Sequence, residues 1–305
     1  MLKRILKSVP CAAFSGLATL LVSLEPAGAA NGLGQPLPGQ IGLQLAATPV
    51  AREIHQFYDF TNLIIIAIAV FVLLLMLLVM VRFSEKRNPT PTATTHNTFL
   101  EVAWTVIPIF ILVAIAIPSF KLLMLQYSYP KPDLTIKAIG NAWFWEHQYP
   151  DHGNFLVTSS VLSDEEVNAR IKKGIATPRL LAVDNEIAVP VDKVVHVLVT
   201  SNDVIHAWTI PSFGSKTDAV PGRVTATWFK AEQEGIYYGQ CSELCGINHA
   251  YMPIAVRVVS ETVFDDWAAA MKAKDKKKAK EILDKVALEQ AGVTNVVQLE
   301  SSTAN

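Results

Sequence analysis

Residues 63–81 read LIIIAIAVFVLLLMLLVMV, an apolar run without a single charge. At about 1.5 Å per residue this covers roughly 28 Å, close to the hydrocarbon thickness of a bilayer. A second apolar run occupies 102–125, interrupted by Pro108 and Pro118, which spanning helices tolerate better than soluble ones do. The chain is therefore expected to span a membrane twice, at about 62–82 and 102–125, as one helical hairpin over 62–126. A buried hairpin inside a soluble protein is the alternative, and so uninterrupted an apolar run does not favour it.

Charge sets the orientation. The connecting loop carries Arg82, Lys86 and Arg87, whereas the segment 30–61 carries only Arg52. Positive residues stay on the cytoplasmic side, so the loop is expected inside and both ends outside. The first 29 residues read as a signal peptide. Lys3, Arg4 and Lys7 form a basic start, 11–24 a short apolar stretch, and Ala27-Gly28-Ala29 a small-residue cleavage site. A third membrane anchor is the competing reading of that stretch. The expected setting is a bacterial inner membrane, crossed twice, with everything beyond residue 126 in the periplasm.

Composition narrows the classes further. The chain has 305 residues, 51% of them hydrophobic and 17% charged, which excludes a disordered protein. The balance of 26 Lys+Arg against 27 Asp+Glu excludes a strongly basic nucleic-acid binder. Three cysteines are too few for a disulfide scaffold.

Beyond the hairpin the pattern changes. Short β-rich runs at 134–139, 193–200, 224–230, 236–239 and 254–259 alternate with Gly and Pro. Such spacing predicts an all-β sandwich or barrel, here over 127–267. A short helix is expected at 163–173, with Ser163 as its cap. Residues 268–305 are Lys-rich, then polar, and read as a solvated helical tail with no assigned function. Acids outnumber bases between 130 and 262, which favours a basic partner through electrostatic steering.

The chemistry concentrates in Cys241-Ser242-Glu243-Leu244-Cys245-Gly246-Ile247-Asn248-His249-Ala250-Tyr251-Met252. His206 lies upstream in Asp203-Val204-Ile205-His206-Ala207-Trp208. Thiolate, thioether and imidazole together favour copper. A mononuclear blue-copper site needs one thiolate, so the second sulfur suggests two bridged copper ions. A structural zinc site and a Cys241–Cys245 disulfide remain open on the residues alone.

The run Gly239-Gln240-Cys241 to Met252-Pro253 closely resembles the CuA loop of cytochrome c oxidase subunit II. Asp203 to Pro211, Lys216 to Arg223 and Glu101-Val102-Ala103-Trp104-Thr105 resemble further segments of that family. The resemblance covers roughly 55–267. It implies a membrane-anchored all-β protein, a two-helix transmembrane hairpin followed by a cupredoxin-like β-sandwich.

It also implies roles. Cys241 and Cys245 bridge two coppers, His206 and His249 bind one each, and Met252 and the Glu243 carbonyl complete the set. The Glu243 side chain shares a magnesium ion with subunit I. Trp143 is the entry point for electrons from cytochrome c, Asp203 a docking carboxylate, and Glu101 the entrance of a proton path. The implied activity is electron transfer to haem in subunit I, within a proton-pumping terminal oxidase that also contains subunit III. The chain has neither a haem-attachment motif nor His-rich membrane helices of its own.

Departures from the family pattern stand at Asn141-Ala142, where His-Gln is usual, and at Gln148, where a second docking acid is usual. Glu146 or Asp151 are the nearby acids that remain. If Trp143 lies on a strand, it shares a face with Trp145. An anchored copper-binding or copper-delivery protein is the alternative function. A quinol oxidase subunit of the same fold would lack the copper ligands.

Overall fold

A computed structural model describes residues 34–90, 92–175 and 177–303. The expected signal peptide at 1–29 lies outside the described residues. The first helix, α1 (Pro49–Arg82), begins well before the apolar run. Thr48 caps it, accepting the Ala51 N–H at 3.0 Å, and Pro49 occupies the first turn, where no N–H is needed. At about 1.5 Å per residue such a helix is longer than a bilayer is thick. Its first turns instead pack on the β domain: Val50 and Ala51 are buried, and the Thr48 hydroxyl donates to Phe213 O at 2.8 Å. An Arg52–Glu232 ion pair adds to this seam.

The second helix, α2 (Thr98–Gln126), contains Pro108 and Pro118 without a break. Its start is satisfied reciprocally: Asn97 Oδ1 accepts the Leu100 N–H, and Glu101 Oε1 accepts the Asn97 N–H. The helices pair as a hairpin, with Lys121 Nζ 3.4 Å from Glu53 Oε2 near the end that meets the β domain. Apolar side chains on both are largely exposed, and both helices are long and apolar enough to cross a membrane.

Among the described residues the domain that follows has ten strands: β1 (Leu134–Asn141), β2 (Phe144–Tyr149), β3 (Phe155–Ser159), β4 (Ile187–Pro190), β5 (Val194–Ser201), β6 (His206–Ile210), β7 (Ser215–Ala219), β8 (Thr225–Lys230), β9 (Gly235–Gln240) and β10 (Pro253–Val259). One sheet runs β3-β2-β1-β5-β8, a second β4-β10-β9, and β6-β7 form a ribbon. Strict alternation drives the first sheet. Leu134, Ile136 and Ala138 of β1 and Val195, Val197 and Val199 of β5 turn inward, while their neighbours are half-buried. The strands are parallel, with Leu134 opposite Val195. The β10 strand is buried along its whole length, and every residue in it except Arg257 is apolar.

The helix α3 (Asp164–Lys172) has Ser163 as cap in a full capping box with Glu166. The C-terminal part differs from the expected solvated tail. α4 (Glu261–Lys272) buries Phe264, Trp267, Ala268, Ala270 and Met271. Trp267 meets Tyr149 edge-on at 5.3 Å between centroids. α5 (Lys276–Thr303) buries Ala279, Leu283, Val286 and Ala287. Ala279, Leu283 and Ala287 recur every four residues with Val286 beside them, so one apolar stripe is hidden beneath the lysines. The compact unit thus continues past residue 267.

Candidate metal centre

Two structural devices bring the donors together. The loop between β9 and β10 carries Cys241, Cys245, His249 and Met252, and its ends are fixed by the Gln240–Pro253 strand pairing. His206 opens β6, which passes so close to β9 that a Cβ on Gly239 would lie 1.8 Å from Thr209 O. Only glycine permits that approach. The Ser242 N–H then donates to Ala207 O at 3.1 Å, which seats Cys241 beside His206.

The two sulfurs lie 3.8 Å apart as free thiols, far from the about 2.05 Å of a disulfide. His206 Nδ1 is 3.8 Å from Cys241 Sγ, and His249 Nδ1 is 3.4 Å from Cys245 Sγ. Met252 Sδ stands 3.5 Å from Cys245 Sγ, and Glu243 O 3.3 Å from Cys241 Sγ. The donor atoms of His206, Cys241 and Cys245 all fall within 4.8 Å of one another, a group able to hold a metal ion. His206, Cys241, Cys245 and Met252 are buried, whereas His249 is half-buried and the Glu243 side chain is exposed.

Electrostatics are asymmetric. Burial raises the Cys241 thiol, but contacts with His206 and the backbone at Glu243 and Ala207 outweigh it and bring it down to about 6. Burial and the neighbouring Cys241 push the Cys245 thiol up to about 12. Burial lowers His206, and its contacts with Cys241 and Asp203 more than reverse this, so it stands above its ordinary value. Burial likewise opposes ionisation of Asp203, and hydrogen bonds from His206, Val204 and Ala142 win, so it stands lower.

Trp143 lies in the turn before β2 rather than on a strand, and is half-buried. It nevertheless reaches the same loop as Trp145. Trp143 Nε1–H donates to Cys245 O at 3.1 Å, and Trp145 Nε1–H to Met252 O at 3.2 Å. Glu101 sits far from the metal-capable group, in the first turn of α2. Gln148 lies mid-strand in β2, Glu146 is half-buried beside Asn141, and Asp151 accepts the Thr135 N–H.

Sequence reasoning missed two spacers. A Cβ on Gly140 would come within 2.8 Å of His206 Cδ2, and one on Gly246 within 3.0 Å of the Trp143 ring. Gly246 also has φ +121°, a conformation that L side chains rarely adopt. Their signal in the sequence is only glycine near an aromatic or a ligand.

Known proteins resemble this chain over most of its length. Residues 134–259 match the family model described as cytochrome c oxidase subunit II, periplasmic domain, and residues 36–122 match its transmembrane domain. The chain is 48% identical over 236 residues to a probable cytochrome c oxidase subunit 2 of Rickettsia bellii, covering 77% of this chain and 86% of that one. It is 46% identical over 267 residues to cytochrome c oxidase subunit 2 of Cereibacter sphaeroides, covering 83% and 88%. The crystal structure of the periplasmic domain of cytochrome oxidase subunit II from Bradyrhizobium japonicum is 52% identical. It covers 48% of this chain and 97% of its own, with a TM-score of 0.43. Matches that take in the hairpin as well as the β domain do not favour a copper-delivery protein. With both parts of the molecule accounted for, the chain belongs to the cytochrome c oxidase subunit II family.

Proposed function

We propose that this subunit holds a dinuclear copper centre, accepts electrons from cytochrome c and passes them to haem in subunit I. The observation that carries this reading is the placement of one imidazole beside each sulfur: His206 faces Cys241 and His249 faces Cys245. Cys241 and Cys245 would bridge, with Met252 Sδ and the Glu243 carbonyl as weak ligands. A soft, largely dry donor set of this kind suits copper. When bound, the metal pair supplies one-electron transfer with little change in bond lengths.

The chain's own residues do the rest. Burial of Cys241, Cys245 and Met252 keeps bulk water away, and the paired strands hold the loop rigid. Trp143, half-buried and hydrogen-bonded to the carbonyl of a sulfur ligand, is the electron entry. Asp203 lies at the edge of the face on which a basic cytochrome c docks, and its side chain is 36% exposed. The exposed Glu243 carboxylate reaches toward subunit I and shares a magnesium ion there. Glu101, at the loop end of α2, is the entrance of a proton path into subunit I. Subunit III completes the core complex. The copper domain and both chain ends face the periplasm, and the Arg82–Arg87 loop faces the cytoplasm.

Electron paramagnetic resonance of the assembled, copper-loaded oxidase tests this. The expected result is a seven-line copper hyperfine pattern with two copper ions per subunit at this site. A four-line pattern, or Cys241 joined to Cys245 in the active complex, overturns it.

A further inference from the structure

We propose that Asp203 is a positioning residue: through one carboxylate it locks the His206 imidazole and the Trp143 turn to each other. The inference rests on His206 being a copper ligand. A carboxylate that served only for docking would keep its oxygens free for a partner's cations, and neither oxygen of Asp203 is free. Oδ1 is 2.8 Å from His206 Nε2 and also accepts the Val204 N–H at 2.6 Å. Oδ2 accepts the Ala142 N–H, likewise at 2.6 Å. Ser201 Oγ lies 3.3 Å from Oδ1.

The first link decides which ring nitrogen is available. An acceptor at Nε2 holds the proton there and leaves the Nδ1 lone pair toward Cys241. The other neighbours of the ring cannot do this. Gly140 offers only a flat backbone surface, and Trp145 meets the imidazole edge-on at 5.9 Å between centroids. They fix where the ring lies but not its tautomer.

The second link reaches the electron entry. Ala142 precedes Trp143, whose indole donates to Cys245 O. Cys245 Sγ is 3.8 Å from Cys241 Sγ, which is 3.8 Å from His206 Nδ1. Asp203 thereby closes a ring of contacts running through His206, Cys241, Cys245, Trp143 and Ala142. Entry turn and metal site are held in one frame.

The test compares Asp203→Asn with Glu146→Gln in the full oxidase. Asparagine keeps the volume but has one acceptor oxygen, so its amide nitrogen must oppose either the His206 side or the Ala142 N–H. Copper should then be lost to a chelator about 10- to 100-fold more readily, the range typical when a partner of a metal-bound His is removed. The copper hyperfine pattern should change and the midpoint potential should rise. Glu146→Gln removes the same charge near Asn141 and should leave copper retention and spectrum unaltered. Asp203→Glu restores charge and acceptors and should recover retention toward wild type, which also decides the matter if the Asn variant does not assemble. Wild-type copper retention, spectrum and potential in Asp203→Asn, with only the salt dependence of cytochrome c oxidation altered, overturns the proposal. So does a Glu variant no better than Asn. A wild-type oxidase without two coppers at this site would instead defeat the reading of the centre itself.

Discussion

The indole N–H of Trp143 donates to the main-chain carbonyl of Cys245 at 3.1 Å, across a sequence separation of 102 residues. A half-buried ring is thus wired to the backbone of a sulfur donor by one hydrogen bond. Trp143→Phe keeps an aromatic ring over Gly246 but removes that donor. Copper content should stay at wild-type level while turnover with cytochrome c falls at least about tenfold, equivalent to ~1.4 kcal/mol on the barrier. Rapid-mixing reduction of the copper centre checks this, and an unchanged rate would rule out the indole link as the entry route.

Gly140 presents bare backbone to the His206 ring. Gly140→Ala would place a methyl 2.8 Å from Cδ2 and 3.0 Å from Cγ of that ring. Both are too close, so the imidazole must shift from its place beside Cys241. Overpacking of this kind costs about 1–3 kcal/mol. The expected outcome is a folded subunit with a lowered copper-to-protein ratio, read by metal analysis beside a thermal melt.

Arg257 and Glu186 form a buried pair, with side chains 2% and 6% exposed and Nε 2.5 Å from Oε2. Arg170 adds a second contact to Glu186 at 3.1 Å. Burial alone would raise the Glu186 carboxyl, but Arg257 and Arg170 hold it below its ordinary value. Arg257→Leu removes the main partner and should destabilise the domain by about 3–5 kcal/mol. The double variant Glu186→Gln with Arg257→Leu should recover much of that loss. Denaturant unfolding of the three proteins gives the comparison, and a mild effect of the single variant would count against a buried charge pair.

His147 is buried in β2, where its Nε2 accepts the Trp208 indole N–H at 3.2 Å. Burial brings its pKa down to about 3 from an ordinary 6.5. The fold therefore holds a neutral ring that the unfolded chain protonates below 6.5. Stability from this group is fully present above pH 6.5 and is lost as pH falls toward 3. Linkage sets the loss at about 1.4 kcal/mol per unit, or roughly 3 kcal/mol by pH 4.5. His147→Gln keeps an acceptor for Trp208 without the titration. Its stability should fall less steeply with acid than wild type in pH-dependent melts.

Local signals made the anchors and the donor types readable. An apolar run of bilayer length has few other fates, so the two spans needed no tertiary information. The strands β1 and β5 were readable as short β-rich runs because Gly and Pro residues punctuate the sequence around them. The Ser163 cap was visible because a capping box lies within four residues. The loop carries four of the donor side chains, Cys241, Cys245, His249 and Met252, within twelve positions.

What required the folded molecule is everything held by long-range packing. The early start of α1 follows from the burial of Val50 and Ala51 against a domain far along the chain. The burial of α5 depends on a narrow alanine and leucine stripe that lysines mask in the sequence. His206 faces Cys241 because Gly239 lets two strand backbones nearly touch. Asp203 reads as a docking carboxylate until its two oxygens are seen joining His206 to Ala142. Sequence names the atoms able to bind a metal, since donor chemistry belongs to each side chain alone. Their distances and tautomers arise from contacts between segments that only the fold brings together.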